Sequence, residues 1–360
     1  MDLEFSEEQQ ELRTSVRSFL ESECPMTLVR SVVEKGTPAD ELWAHMVDLG
    51  WPALTIPEEH GGLGLGFIEL AVVTEELGRV IAPGPFLATV TQFVPAVRHA
   101  GTSDQQGRFL APVAAGELTG ALAVGGDVVA TANADGWRLT GTVRHVVDGD
   151  RADEIAVIAR VDDGRGVFVV PGKDVQATPE RTLDHSRRLA TLELDDTALA
   201  ADRALGTPSS LDAAIDTAVQ EATAALALET VGTCQSIFDV ALDYAKERHQ
   251  FGVPIGSFQA IKHKFADMFV ALERARATAY FAAATIAEGD DRCALAVAMA
   301  KAAAGDAQRL IAQEGIQIMG GIGYTWEHDM HLYVKRAKTG DALLGTSSDH
   351  RARVARIIGL

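Results

Sequence analysis

The sequence predicts an α+β fold that is mostly α. We expect an N-terminal helical domain over 1–117, a central antiparallel β domain over 118–208 and a C-terminal four-helix bundle over 209–360. Apolar residues recur at helical spacing in the first segment, short β-branched runs fill the second, and long alanine-rich stretches fill the third. With 360 residues, 47% of them hydrophobic, the chain can bury the cores of two or three packed domains.

Composition excludes several classes of protein. A net charge of -19 argues against nucleic acid as a partner, because phosphate binding requires a basic surface. The cysteines, Cys24, Cys234 and Cys293, lie far apart without CxxC spacing, so we expect neither a disulfide framework nor a metal site. The start "MDLEFSEEQQ" lacks the features of a signal peptide, and no run of 18 apolar residues occurs. We therefore expect a cytoplasmic protein without membrane insertion.

The first segment contains three helical patterns and a loop. "FSEEQQELRTSVRSFLESE" opens with Ser6 and Gln9 at capping-box spacing, and its apolar residues follow the helical period. "DELWAHMVDLG" repeats that period and stops at Gly50, a plausible C-cap. The glycines of "PEEHGGLGLGF" predict a loop, after which "IELAVVTEELGRV" resumes the helical pattern.

The second segment has a strand period. "GWRLTGTVRHVVDG" and "ADEIAVIARVDDGRGVFVVPG" are β-branched runs separated by Gly, Asp and Pro. In "ATLELDD", Leu192 and Leu194 alternate with polar residues. This pattern is typical of antiparallel strands.

The third segment predicts long helices whose small residues permit close packing. The stretches from Leu211 to Arg248, from Phe258 to Gly289 and from Cys293 to Gly321 each read as one helix, and a last helix is expected from about Lys338 to the end.

Two glycine-bearing turns interrupt these helices. "RHQFGVPIGSFQ" follows the first helix, and "IQIMGGIGYTWEHD" follows the third. Arg248 could complement the negative end of its own helix, or it could bind a pyrophosphate through its planar, charged side chain. Phe251 offers a stacking face, and Gln259 and Gln317 offer amides. Together the turns predict a site for a nucleotide tail.

The chain resembles the acyl-CoA dehydrogenases. "PEEHGGLGLGFIELAVVTEELGR" is similar to their N-terminal signature, and "YAKERHQFGVPIGSFQAIKHKFADM", "IQIMGGIGYTWEHDMHLYVKRAK" and "GTSSDHR" are similar to their C-terminal signatures. The resemblance implies the fold of that family and FAD as cofactor. It also implies that one set of residues reaches across a subunit interface to the ADP end of a neighbour's FAD. That set is Arg248, Gln250, Phe251, Phe258, Gln259, Gln317, Gly320 and Gly321, with Thr346 as a further cofactor contact.

The expected catalytic base is missing. The family's reaction removes an α-proton and transfers the β-hydride to the flavin, so it needs a positioned carboxylate. The glutamate of the family's Tyr-Glu-Gly-Thr-Ser stretch corresponds to Leu344 in "DALLGTSS". An alternative base position on the long helix corresponds to Ala222. Its neighbour Glu221 is the fallback base, or else a solvated charge on a helix face.

The middle domain also departs from the family. After "LTGALAV" the chain has "GGDVVATANADG" in place of the Thr-Glu-Pro-Gly-Ala-Gly-Ser-Asp loop beside the flavin. The family's Trp-Ile-Thr stretch, whose threonine faces flavin N5, corresponds to His145, Val146 and Val147. His145 is either a general base or a surface residue.

A hetero-oligomer would explain why this chain keeps the residues for the ADP end of FAD but lacks those for the flavin face and the base. A sister subunit would supply the flavin face and the base, and this chain would supply the ADP clamp. This resembles the actinobacterial α2β2 acyl-CoA dehydrogenases, which act on steroid side-chain CoA thioesters. An acyl-CoA is the implied substrate and an electron-transfer flavoprotein the implied acceptor. Two rival hypotheses are a self-sufficient acyl-CoA dehydrogenase or oxidase using Glu221, and a flavin-free scaffold subunit.

Overall fold

The computed structural model describes residues 5–360. In chain order its helices are α1 (Glu7–Glu23), α2 (Met26–Lys35), α3 (Asp40–Asp48), α4 (Phe67–Arg79), α5 (Phe86–Ala88), α6 (Val94–Ala100), α7 (Ser103–Ala114), α8 (Asp212–Glu247), α9 (Gln259–Glu288), α10 (Cys293–Met319), α11 (Met330–Ala342) and α12 (Ser347–Ile357). A π-helical turn, Thr89–Phe93, joins α5 to α6.

The strands are β1 (Gly120–Ala123), β2 (Val129–Asn133), β3 (Gly136–Val147), β4 (Glu154–Val161), β5 (Gly164–Pro171), β6 (Gln176–Pro179), β7 (Leu189–Ala200), β8 (His249–Gln250) and β9 (Val253–Pro254). The first seven form one sheet in the order β1-β4-β2-β3-β7-β6, with β5 paired to β4. Most pairings are antiparallel, as predicted, but β4 runs parallel to both β1 and β2.

The helical, β and helical order predicted from the sequence is confirmed, and with it the fold class. By internal contacts the chain separates into two compact units. Within the described residues, the first consists of 5–37, Phe67–Ala82 and Thr223–Leu360, and the second of Pro38–Gly66 and Pro83–Ala222. The division into three domains at 117 and 208 stays a prediction.

In the second unit, strands β1 and β4 of the sheet are buried on both faces. On β1, Leu122 packs with residues of α6 and α7, whereas Ala121 and Ala123 belong to the core on the opposite face. On β4, Ala156 lies on the helical side and Ile155 on the other. This alternation follows from the two-residue period of a strand, and it explains why these strands read as continuous apolar runs.

In the first unit, α4 and α8 approach each other closely. A Cβ at Gly78 would lie 2.1 Å from the backbone oxygen of Glu229, and one at Gly232 would lie 1.9 Å from that of Glu75. Only glycine fits at such a distance, so these two positions fix the packing of α8, which leads directly into the first glycine-bearing turn.

Helix α8 is also long and apolar enough to cross a membrane by length and composition. However, 78% of its most apolar 18-residue window is buried inside the protein. The core helix of a soluble protein has the same properties, so this feature is weak evidence for a membrane span.

The prediction of one last helix from Lys338 to the end is wrong. The chain leaves α11 after Ala342, and α12 begins at Ser347. Leu344 and Gly345 have positive φ angles of 55° and 92°, which no helix accommodates. Thr346 then caps α12 by accepting a hydrogen bond from the backbone N–H of Asp349.

Candidate functional site

A β-hairpin joins α8 to α9, where the sequence predicts a connector. Strands β8 and β9 pair antiparallel, with Gln250 opposite Val253. The two residues between them, Phe251 and Gly252, have φ angles of 55° and 82°. A two-residue hairpin loop with positive φ at both positions is a type I′ turn, which Gly252 adopts freely and Phe251 adopts with strain.

This hairpin presents its side chains to solvent. Phe251 is 94% exposed, and its ring meets that of Phe258 edge-on, with 6.2 Å between centroids. Arg248 is exposed and makes no side-chain hydrogen bond or ion pair in the described part of the chain. Its backbone N–H donates to the oxygen of Tyr244 at 2.8 Å. The guanidinium is therefore available to another molecule.

The two glutamines of the hairpin region differ in their contacts. Gln250 donates from Nε2 to the backbone oxygen of His249 at 2.7 Å. Gln259 is exposed at the first turn of α9. Both amides retain hydrogen-bonding capacity toward solvent.

The second glycine-bearing turn follows α10. Gly320 has a φ of 65°, and a Cβ added at Gly320 or Gly321 would meet no atom within 4 Å. Gln317 is exposed on the last turn of α10. The backbone here is open to close approach by a ligand. No hydrogen bond or ring contact among residues 5–360 connects this turn to the hairpin.

These two surfaces fit the ADP end of FAD chemically. Arg248 is an unpaired cation that suits a pyrophosphate, Phe251 is an aromatic face that suits adenine, and the open glycine backbone permits close contact. Thr346 fits less well, since its hydroxyl donates to Asp349 Oδ2 at 2.7 Å and accepts from the backbone N–H of Asp349 at 3.3 Å. Both of these hydrogen bonds serve the N-terminal cap of α12.

The loop that carries Leu344 is held by buried polar groups that sequence reasoning missed. Lys301 of α10 is 1% exposed and donates from Nζ to the backbone oxygens of Gly340, Asp341 and Gly345, each at 2.9 Å. Burial lowers the pKa of Lys301 to about 8. A single lysine within "AMAKAAAG" was the sequence signal for this role, because an isolated charge among alanines must find partners when it is buried.

His350 completes that loop. Its Nε2 lies 2.9 Å from the backbone oxygen of Leu344, and burial lowers the pKa of its imidazole. The backbone around position 344 is thus held by hydrogen bonds from Lys301 and His350, while the side chain at that position has no titratable atom. Leu344 is half-buried and Leu343 is buried.

Glu221 is not the solvated helix-face charge that the sequence suggested. It is 5% exposed and pairs with Arg98 and with His99, whose Nε2 lies 2.6 Å from Oε1. Burial alone would raise the pKa of Glu221, but the hydrogen bond from His99 and the charge of Arg98 outweigh burial and lower it. A carboxylate that holds two partners is a weak proton acceptor. Ala222 beside it is fully buried.

The stretch that the resemblance places beside the flavin makes hydrogen bonds and close contacts with other residues of this chain. His145 has a φ of 61° at a bulge in β3, and its Nδ1 lies 2.6 Å from Glu180 Oε2. A Cβ at Gly126 would lie 2.4 Å from the backbone oxygen of Thr142, so the loop after β1 packs directly on β3. Asp127 accepts from the backbone N–H of Thr142 at 2.8 Å.

His145 is a surface residue that is held in place by its contacts with Glu180. Burial would raise the pKa of Glu180, but hydrogen bonds from the His145 backbone, Thr191 and the His145 ring lower it. The His145 side chain is 64% exposed. Among residues 5–360, no group of three or more His, Cys, Asp or Glu side chains is arranged to hold a metal ion.

Comparison with known proteins gives matches over most of the chain. The model of the acyl-CoA dehydrogenase N-terminal domain matches residues 6–117, and that of the C-terminal domain matches residues 212–359. Acyl-CoA dehydrogenase IpdE2 of Mycobacterium tuberculosis is 35% identical over 340 residues, covering 94% of this chain and 93% of the relative.

Two solved structures show the same fold. A chain of the ChsE4-ChsE5 complex from Mycobacterium tuberculosis superposes with a TM-score of 0.93 at 28% identity, covering 99% of both chains. A chain of the Tcur3481-Tcur3483 steroid acyl-CoA dehydrogenase, in a G363A variant, superposes with a TM-score of 0.89 at 28% identity, covering 98% of both chains.

Proposed function

The chain belongs to the acyl-CoA dehydrogenase family, and we propose that it is the subunit of a hetero-oligomeric acyl-CoA dehydrogenase that contributes the ADP-end half of an FAD site to a catalytic sister subunit. The family consists of flavin-dependent oxidoreductases that act on acyl-CoA thioesters. The observation that carries the proposal is the combination of an exposed, unpaired Arg248 with a leucine at the position of the base.

The chain's own residues support a role in holding the cofactor. When bound, FAD accepts the β-hydride of the acyl thioester. The guanidinium of Arg248 would bind the pyrophosphate, and Phe251, backed by Phe258, would stack on the adenine. The amides of Gln259 and Gln317 and the backbone at Gly320 and Gly321 would complete the ADP end. The resemblance to the family implies that these groups reach across a subunit interface, so the nucleotide they hold would belong to another subunit.

The missing base supports the assignment of proton abstraction to the sister. Leu344 cannot accept a proton, and Glu221 is committed to Arg98 and His99. The loop around Leu344 keeps its supports, Lys301 and His350, which is expected of a chain whose fold is retained after its base is lost. The exposed His145 is tied to Glu180 and is not required as a base when a sister carboxylate is present.

The assembly and the substrate are parts of the same proposal. We infer an α2β2 heterotetramer, supported by the likeness to a chain of the ChsE4-ChsE5 complex. The likeness to a steroid acyl-CoA dehydrogenase supports a bulky steroid side-chain CoA thioester as the substrate. An electron-transfer flavoprotein is the expected acceptor, and the cytoplasm is the expected compartment.

Purification of the chain alone and with its sister tests the proposal. We expect a colourless or unstable chain alone, and a yellow complex with one FAD for each pair of subunits on co-expression. A self-sufficient enzyme would instead give a yellow, active homo-oligomer, and a scaffold would give no flavin in either preparation. Either of these results would overturn the half-site assignment.

A further inference from the structure

A cavity of about 380 Å³ lies against α7, apart from the residues discussed so far. One wall is helical and the other is the short 3-10 turn after Pro57. The lining residues are Glu59, His60, Gly61, Gly107, Ala111, Ala114 and Ala115, all in the second unit.

His60 is a buried polar side chain whose ring makes no hydrogen bond within the described residues. It is 9% exposed. The nearest charged atom, Glu59 Oε1, is 3.5 Å from Nε2. Buried polar groups are nearly always hydrogen-bonded, so an unsatisfied imidazole at the edge of a cavity indicates a place for a ligand.

Gly107 lies beside that imidazole. A Cβ at this position would lie 3.5 Å from His60 Nδ1, in direct contact with the ring. Glycine is among the poorest helix formers, and its place in the interior of α7 leaves the helix surface flat beside the ring. Ala111 and Ala114 continue this flat, apolar wall toward the end of α7.

The polar groups around the cavity accept hydrogen bonds and attract positive charge. Glu59 carries an exposed carboxylate, and an imidazole in its neutral form has one acceptor nitrogen. The cavity lies beside the C-terminal end of α7, which carries partial negative charge. Pro112 has no N–H, so the carbonyl of Arg108 receives no donor from that position. None of the lining residues carries a cationic side chain.

We propose that this cavity binds an alkylammonium group. The methylene stem would lie along the wall formed by Gly107, Ala111 and Ala114, as lysine stems lie on apolar surfaces. The ammonium would sit between Glu59 and His60 and donate to both. The group can belong to a free primary amine or to a lysine side chain of another protein molecule, because the chemistry is the same.

Saturation-transfer NMR with n-butylammonium tests the site on the purified protein, or on the complex if the chain requires its sister. We expect saturable binding with a dissociation constant on the order of millimolar, as suits a five-atom ligand. Glu59→Gln should weaken it by about tenfold. Glu58→Gln is the matched control, because Glu58 lies on the same turn, is exposed and does not line the cavity.

A second variant and a second probe keep the test specific. His60→Phe should also weaken binding, and 1-butanol, which has the same stem without charge, should bind less tightly than the amine. Equal binding to Glu59→Gln and Glu58→Gln, or no saturation in the wild type, would overturn the proposal.

Carbodiimide cross-linking distinguishes the two sources of the ammonium. If a lysine of another protein molecule occupies the cavity, Glu59 will appear in an intermolecular amide cross-link. If butylammonium binds and no such cross-link forms, the natural ligand is a free amine. The result does not depend on flavin content, so it stands apart from the test of the half-site assignment.

Discussion

Arg248 is a cation that the fold leaves without a partner, and its role can be measured directly. We predict that Arg248→Ala in the co-expressed complex weakens FAD retention through the loss of a charge-assisted hydrogen bond, by about 1.5–3 kcal/mol. This corresponds to a roughly 10- to 150-fold higher dissociation constant. Fluorescence of FAD released during dialysis measures the change.

Arg160→Ala is the control for that experiment, because Arg160 is likewise exposed but lies on β4, far from the hairpin in sequence. We expect its flavin content to equal that of the wild type. Unchanged retention in Arg248→Ala would remove Arg248 from the site.

Glu221 is predicted to contribute to stability, since it is buried between Arg98 and His99. Glu221→Gln leaves Arg98 without its countercharge, and we expect the free energy of unfolding to fall by about 2–4 kcal/mol at pH 7. Urea unfolding at pH 7 measures this difference.

The dependence on pH follows from the direction of the pKa shift. The pKa of Glu221 lies below its ordinary value of 4.5 in the folded protein, so its contribution is present above pH 4.5 and is lost as the pH falls through the folded-state pKa. The difference between wild type and Glu221→Gln should therefore shrink on acidification. A difference that grows would contradict the ion-pair assignment.

At the scale of elements, a substitution in the hairpin between α8 and α9 should affect stability and cofactor binding in opposite directions. Phe251 holds a positive φ of 55° while its ring is almost fully exposed. Phe251→Asn gives the Asn-Gly pair that type I′ turns favour. We predict unchanged or slightly higher stability, by up to about 1 kcal/mol, together with weaker FAD retention. Thermal unfolding of the chain and flavin content of the complex are the two readouts, and retained flavin would contradict the stacking role.

The loop between α11 and α12 depends on Lys301. Lys301→Met removes the donor to three backbone oxygens, and we expect a loss of about 2–4 kcal/mol in the free energy of unfolding. Lys338→Met, at an exposed position of α11, is the control and should change stability by less than about 0.5 kcal/mol.

The same variant has a signature in pH. Because burial lowers the pKa of Lys301 to about 8 from 10.5, the unfolded chain binds more protons than the folded chain between these values. The deprotonation of Lys301 therefore makes the free energy of unfolding rise with pH between about pH 8 and pH 10.5. Lys301→Met should lose that rise, and an identical pH profile would show that the lysine is not buried.

The elements show where sequence patterns succeed and fail. The long helices were predictable because alanine-rich periodicity persists over many turns, as in α8 and α10. The break between α11 and α12 was missed, although Thr346 and Asp349 form a capping box three residues apart. The surroundings of Glu221 could not be read locally, since Arg98 lies 123 positions away in the sequence. Contacts at that distance exist only once the chain has folded.

For the whole molecule, the family, the fold class and the half-site hypothesis follow from the motifs and from the residues that depart from them, whereas the contacts of those residues become visible only in the folded chain. The motifs identified Arg248 and Gly320 but not the exposure of Arg248 or the open space around Gly320. The contact between His145 and Glu180 could not be predicted from sequence patterns, because a strand bulge orients the His145 side chain.

The most direct test is anaerobic bleaching of flavin by an acyl-CoA thioester in the co-expressed complex. If the sister supplies the base, the flavin of the complex carrying Glu221→Gln in this chain should bleach at a rate within a few-fold of wild type. Loss of the general base itself would instead slow bleaching by about 10²–10⁴-fold. Replacement of the sister's base glutamate by glutamine should abolish bleaching. If instead Glu221→Gln abolishes bleaching while the sister's glutamate can be replaced freely, the roles of the two subunits are reversed and the account is wrong.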